Sequence, residues 1–187
     1  MEGNHSNRVC PVERSGALDS SLRRVFQNPA KILKPYLKPG DKVLDFGCGP
    51  GFFTFDIAQL VGKSGLVYAA DLQEGMLKKV EAKITFLNME SRIKLHKCEQ
   101  DAIGLNDTVD FILAFYMIHE LINQENTFLE FKTILNPDGR LLIIEPDFHV
   151  SRTDFHNMLM RLEKVGFKII ERPKLIFSRS VLLQKNN

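Results

Sequence analysis

Val43-Leu44-Asp45-Phe46-Gly47-Cys48-Gly49-Pro50-Gly51 is an apolar run that opens into three glycines at alternate positions. A loop of this kind lets backbone approach a ligand where any Cβ would collide, and it aims the N-terminus of the next helix at a bound group. A dinucleotide fingerprint, GxGxxG, needs its third glycine at position 52, and position 52 is Phe. Asp45 stands two residues before the first glycine, where it repels a pyrophosphate and suits a ligand carrying an ammonium.

Outward from this loop, short apolar runs alternate with longer amphipathic ones. Strands are predicted over Lys42 to Phe46, Leu66 to Ala70, Ile93 to Lys97, Val109 to Phe115 and Leu141 to Glu145. Helices are predicted over Phe52 to Val61, Gln73 to Met89, Gln124 to Leu135 and Thr153 to Val165, the second carrying apolar residues at Met76, Leu77, Val80, Ile84 and Leu87. Asn136-Pro137-Asp138-Gly139 reads as a strong breaker, and Gly166 as a helix cap. Phe167 to Ile170 and Leu175 to Leu183 are too close in sequence for a crossover helix between them, so they pair antiparallel. The pattern predicts an α/β fold: a doubly wound, mostly parallel, seven-stranded Rossmann-like sheet with a C-terminal antiparallel hairpin. Ligands of such sheets bind beyond the carboxyl ends of the strands, where strand order reverses. Residues 1–38 read as a separate helical cap segment, with a helix-like stretch at Leu18 to Phe26 and an interruption at Asn28-Pro29. Residues 39–187 read as the ligand-binding domain.

Composition narrows the class. The chain has 187 residues, 44% of them hydrophobic and 26% charged, with a formal charge of +2, which gives no broad field for a polyanion and disfavours nucleic acid as a partner. The longest fully apolar stretch, Phe111 to Ile118, is far short of the roughly 20 residues of a membrane-spanning helix. The polar N-terminus lacks a secretory signal, so a cytoplasmic protein is expected. Cys10, Cys48 and Cys98 form no CxxC pair, which suggests neither a disulfide framework nor a metal site.

From about Lys38 onward, the chain resembles the class I S-adenosylmethionine-dependent methyltransferases. The resemblance is to their small-molecule branch, which includes quinone-biosynthesis and arsenite methyltransferases. The segment Asp45-Phe46-Gly47-Cys48-Gly49-Pro50-Gly51 looks like that family's first motif. The resemblance implies that Gly47, Cys48, Gly49 and Gly51 cradle the methionine part of the cofactor and that Asp45 helps to hold its amino group. Asp71 follows the second strand, where a carboxylate can accept both ribose hydroxyls. Leu72 beside it would lie on the adenine face. Glu99-Gln100-Asp101-Ala102-Ile103 is similar to the family's Asp-Ala segment, which implies that Asp101 takes the adenine amino group and the Ala102 N–H meets the ring.

The fourth strand ends in Phe115-Tyr116-Met117-Ile118-His119-Glu120. Phe115 is assigned to the cofactor, and His119 and Tyr116 are the candidate catalytic residues. The Asn/Asp-Pro-Pro-Tyr motif of adenine and glutamine methyltransferases is missing here, and Ile-His-Glu instead resembles the Leu-His-His of small-molecule members. His119 is a candidate proton acceptor because an imidazole titrates near neutral pH, with packing at a helix entrance as the competing reading. Glu145, His149 and His156 follow the fifth strand on the side where an acceptor would approach. Three cysteines alone do not make the thiolate site of arsenite methylation. In the cap segment Arg23, Arg24, Phe26 and Tyr36 are candidates for contact with an anionic or aromatic substrate.

The expected function is in-line methyl transfer from S-adenosylmethionine to a small-molecule acceptor, leaving S-adenosylhomocysteine, with alignment and water exclusion outweighing acid–base chemistry. The alternatives are a non-catalytic cofactor-binding protein and an NAD-type oxidoreductase, the latter opposed by Phe52 and Asp45.

Overall fold

The computed structural model describes Arg24 and residues 26–186. The described elements, in chain order, are α1 (Pro29–Leu33), β1 (Lys42–Phe46), α2 (Thr54–Val61), β2 (Leu66–Asp71), α3 (Glu74–Leu87), β3 (Ile93–Lys97) and β4 (Val109–Phe115). A 3₁₀ turn (Ile118–Glu120) follows, then α4 (Gln124–Ile134), β5 (Leu135–Pro146), α5 (Arg152–Val165), β6 (Phe167–Glu171) and β7 (Ser178–Lys185). The seven strands form one sheet in the order β3-β2-β1-β4-β5-β7-β6, with β7 antiparallel to both β5 and β6 and the other pairs parallel.

The central strands are covered on both faces, so successive residues feed opposite cores. In β4, Phe111 and Leu113 pack with α2 and α3, whereas Ile112 and Ala114 pack with α4 and α5. Leu142 and Ile144 of β5 join the first of these cores, and Leu141 and Ile143 the second. The chain runs from β1 outward to β3 and then returns to the other flank of β1 as β4. Strand order therefore reverses between β1 and β4, and the carboxyl ends of those two strands mark the binding crevice.

Two breaker signals have other outcomes. Asn136-Pro137-Asp138-Gly139 does not separate α4 from a later strand: β5 starts at Leu135, directly from the helix end. Leu135 pairs with Val109 and Arg140 with Phe111, so the four turn formers oppose Asp110 alone as a wide bulge. Asp110 fixes that bulge by accepting the Asn136 Nδ2–H at 2.7 Å, and its other oxygen accepts the Lys42 N–H at 2.9 Å. Asn28-Pro29, read as an interruption, begins α1: the Asn28 side chain accepts the Lys31 N–H, and Pro29 occupies a position where no N–H is needed. The strand expected from Leu175 begins only at Ser178, after a turn that places Phe177 at φ +56°.

The helix expected over residues 18–26 lies, apart from Arg24 and Phe26, outside the described residues, as does Arg23. Tyr36, a candidate substrate contact, is instead core: its ring stacks on Phe111 and its hydroxyl donates to Glu171 Oε1 at 3.0 Å. Phe26 is exposed. No helix among the described residues is long and apolar enough to cross a membrane.

Candidate functional site

β1 delivers its glycines into tight turns at its carboxyl end. Gly47, Gly49 and Gly51 all have positive φ (73°, 53° and 89°), a backbone state that L side chains enter only under strain. A Cβ on Gly47 would lie 2.9 Å from Met117 Cγ, and one on Gly51 2.8 Å from Phe55 Cε2. Gly49 differs, because a Cβ there would meet no protein atom within 4 Å. The loop's N–H groups are all consumed internally. Gly47 and Cys48 donate to Ala70 O, Gly51 donates to Cys48 O, and Gly49 donates to Asp71 Oδ2 at 2.9 Å. None of these four amides is left to make an anion nest of the kind a pyrophosphate requires.

A cavity opens above this loop. It brings together Asp45, Gly47, Cys48, Gly49, Asp71, Leu72, Phe115 and Tyr116 of the expected residues. Gly51 stays outside its lining and serves the turn against Phe55. The carboxylates of Asp45, Asp71, Glu99 and Glu120 line it, and no Lys, Arg or His does so among the described residues. Burial lifts the Asp45 carboxyl to about 7, against the pull of the Thr54 hydroxyl at 2.6 Å, and the Asp71 charge adds to the rise. Burial likewise raises Asp71, although the amides of Gln73 (2.7 Å) and Gly49 pull it down. Glu120 is pushed up to about 7 by burial, with His119 opposing and Asp71 and Glu145 reinforcing the shift. Cys48 and Cys98 also line the cavity, and burial drives the Cys48 thiol well up and the Cys98 thiol to about 12.

Three of the expected residues lie apart from this cavity. Asp101 and Ala102 do not line the cavity: the Ala102 carbonyl accepts the Glu99 N–H, the Asp101 carbonyl accepts from Asn126, and the wall is built from Cys98, Glu99 and Gln100. His119 does not line it either. Its Nδ1–H is held by Glu145, a carboxylate only 1% exposed that also accepts the Ile118 N–H at 2.9 Å. Burial lowers the imidazole pKa, but the Glu145 hydrogen bond and charge more than offset this, and the net direction is upward. His119 faces a second cleft with His149 and Arg161, while His156 is on the exposed side of α5. Glu120, the next residue, is the one that enters the cavity. A 3₁₀ turn advances about 120° per residue, so neighbours in it serve different clefts.

Tyr116 lines the cavity at φ +57°, a left-handed conformation costing a non-glycine residue roughly 1–2 kcal/mol. Its ring stacks on Phe115 at 4.1 Å, and Phe115 meets Phe53 at 4.5 Å. Its hydroxyl accepts from Gln27 Nε2 at 2.6 Å and lies 2.7 Å from Ser178 Oγ. Arg24 bonds Asp56 and crosses the face of Phe52, another wall residue. The described residues contain no cluster of three or more His, Cys, Asp or Glu able to hold a metal ion.

Residues 37–176 match the family model described as a methyltransferase domain. The chain is 32% identical over 155 residues to a probable cobalt-precorrin-6B C(15)-methyltransferase of Saccharolobus solfataricus, covering 80% of this chain and 73% of that one. It is 28% identical over 137 residues to a ubiquinone/menaquinone biosynthesis C-methyltransferase of Cronobacter sakazakii, of whose length it spans about half (53%). The crystal structure of an S-adenosylmethionine-dependent methyltransferase from Aquifex aeolicus superimposes with a TM-score of 0.87 at 28% identity, covering 95% of this chain and 100% of that one. The chain belongs to the methyltransferase-domain family and is an S-adenosylmethionine-dependent methyltransferase.

Proposed function

We propose that the acidic cavity holds S-adenosylmethionine and that the enzyme methylates a small-molecule acceptor, as the names of its precorrin and quinone relatives say of those proteins. One observation carries the reading: the cavity offers acceptors and negative charge, with four carboxylates, no cationic side chain among the described residues and no spare amide on Gly47, Cys48, Gly49 or Gly51. That donor set fits a cofactor bearing an ammonium and a sulfonium, and it repels a pyrophosphate.

In this reading Asp45 and the carbonyls around Gly47 and Gly49 receive the ammonium. Asp71 spends one lone pair of each oxygen on a backbone amide and keeps the others for the ribose hydroxyls. Leu72 and the 98–100 loop bracket the adenine, and Phe115 closes the inner wall. The bound cofactor supplies a methyl on a positively charged sulfur, open to in-line displacement by the acceptor. Phe52, Phe53, Phe115 and Met117 keep water from the reacting line, where alignment and low polarity favour a step that consumes charge. Tyr116 borders the acceptor side, and His119 holds the 3₁₀ turn through Glu145 instead of taking a proton.

Contacts of Arg24 and Gln27 with cavity-wall residues support placing the N-terminal segment on the acceptor side. Leu33 and Tyr36 are buried in the sheet core, so the informative truncation removes residues 1–23 only. It should retain cofactor binding and lose turnover. The reading as a whole is tested by calorimetry with S-adenosylmethionine and NADH, followed by an acceptor screen read as S-adenosylhomocysteine release. Binding of NADH in place of S-adenosylmethionine would overturn it.

A further inference from the structure

Among the described residues three non-glycines have positive φ, and one of them, Asn88, is a helix C-cap where Asn is at home. The other two, Tyr116 and Phe177, are aromatic and bonded to each other, the Tyr116 hydroxyl reaching the Phe177 carbonyl at 3.4 Å. The same carbonyl accepts the Asp147 N–H at 3.1 Å, which ties the β5–α5 loop to the turn before β7. On these tied loops Phe148 is 78% exposed, Ile176 56% and Phe177 61%, and the Phe148 ring stands edge-on to Tyr116 at 6.4 Å. The aromatic run Phe53, Phe115, Tyr116, Phe148 therefore leads without a gap from the cofactor cavity to solvent. Backbone strain held by hydrogen bonds, with large apolar side chains left in water beside a cavity, is the arrangement expected where a ligand completes the packing.

We propose that Phe148, Ile176 and Phe177, with Tyr116, form the acceptor subsite, and that the acceptor is a planar apolar molecule presenting its nucleophile from an aromatic ring. The inference rests on the cavity being the cofactor site, because the patch is continuous with it through Tyr116. Three side chains fall well short of the roughly 800 Å² per partner that a stable protein interface buries, so a small molecule is the occupant that fits.

The chain contains no Trp, so the fluorescence of 2-naphthol reports its binding without overlap. Titration of 2-naphthol into the protein saturated with S-adenosylhomocysteine should be saturable. Phe148→Ser and Phe177→Asn should each weaken it at least about tenfold, the loss expected when one aromatic wall is removed. Phe86→Ser, which removes an equally exposed ring from α3, should change nothing. Asn tolerates positive φ, so Phe177→Asn keeps the turn, and unchanged S-adenosylhomocysteine affinity verifies that the variants are folded. Absence of saturable 2-naphthol binding by protein that binds S-adenosylhomocysteine would overturn the subsite, as would equal binding by all variants. Self-association or binding to phosphatidylglycerol vesicles that is lost in Phe148→Ser, with 2-naphthol binding untouched, would also overturn it. Failure to bind S-adenosylhomocysteine at all would instead strike the reading of the cavity.

Discussion

Asp71 Oδ2 accepts the backbone N–H of Gly49 at 2.9 Å, so the residue that ends β2 also fixes the turn that leaves β1. The other oxygen takes the Gln73 N–H at the start of α3. One carboxylate thus sets the spacing between the two loops that border the cavity. Asp71→Ala removes both bonds, each worth roughly 1.5–3 kcal/mol to a charged group, together with the acceptors left for the ribose. S-adenosylmethionine affinity should fall at least about tenfold by calorimetry, with Asp71→Asn intermediate. Unchanged affinity in a folded Asp71→Ala variant would remove Asp71 from the site.

The three glycines separate packing from binding. Gly51→Ala forces a Cβ against Phe55 at positive φ and should destabilise the fold by about 2–4 kcal/mol in urea unfolding. Gly49→Ala meets no protein atom and should cost only the backbone strain, about 1–2 kcal/mol. Because Gly49 lines the cavity, its added methyl should weaken cofactor binding out of proportion to the stability lost. Proportionate losses in the two variants would contradict this division.

His119 should matter for stability and little for cofactor affinity. Its folded pKa lies above the usual 6.5, so the stabilisation it brings is fully present below about pH 6.5 and is lost as pH rises through the folded value. The stability gap between the protein and His119→Ala should therefore be larger at pH 5.5 than at pH 9, with S-adenosylmethionine affinity within about twofold. A gap that widens with pH would reverse the assignment of the Glu145 pair.

Most of the sheet is legible because its signals are local and strong. Strands β3 and β4 have the limits their apolar runs predict, and the positive φ of Gly47, Gly49 and Gly51 is what only glycine supplies cheaply. The errors arise where one residue type serves two geometries. Asn136-Pro137-Asp138-Gly139 suits a chain reversal and equally a bulge, and the pairing of Leu135 with Val109, invisible to local pattern, selects the bulge. Asn-Pro at 28–29 is a stop after a helix and also a start before one. At the site, Glu99 and Gln100 line the cavity where Asp101 is expected to, a difference of one or two residues in a loop that no periodicity fixes. The choice between His119 and Glu120 depends on the phase of a single 3₁₀ turn, which Glu145 sets from 25 residues away or more.

The central claim is that negative charge in the cavity holds a cationic cofactor, and the affinity of S-adenosylmethionine at pH 8 and pH 6 tests it most directly. Asp45 and Glu120 each titrate at about 7, so both are ionised at pH 8 and largely protonated at pH 6. S-adenosylmethionine should bind more weakly at pH 6, by up to about tenfold for each carboxyl involved. S-adenosylhomocysteine, whose neutral thioether lacks the sulfonium charge, should lose less over the same range. An S-adenosylmethionine affinity that is flat or rises towards pH 6, or that falls in step with the thioether, would contradict the account.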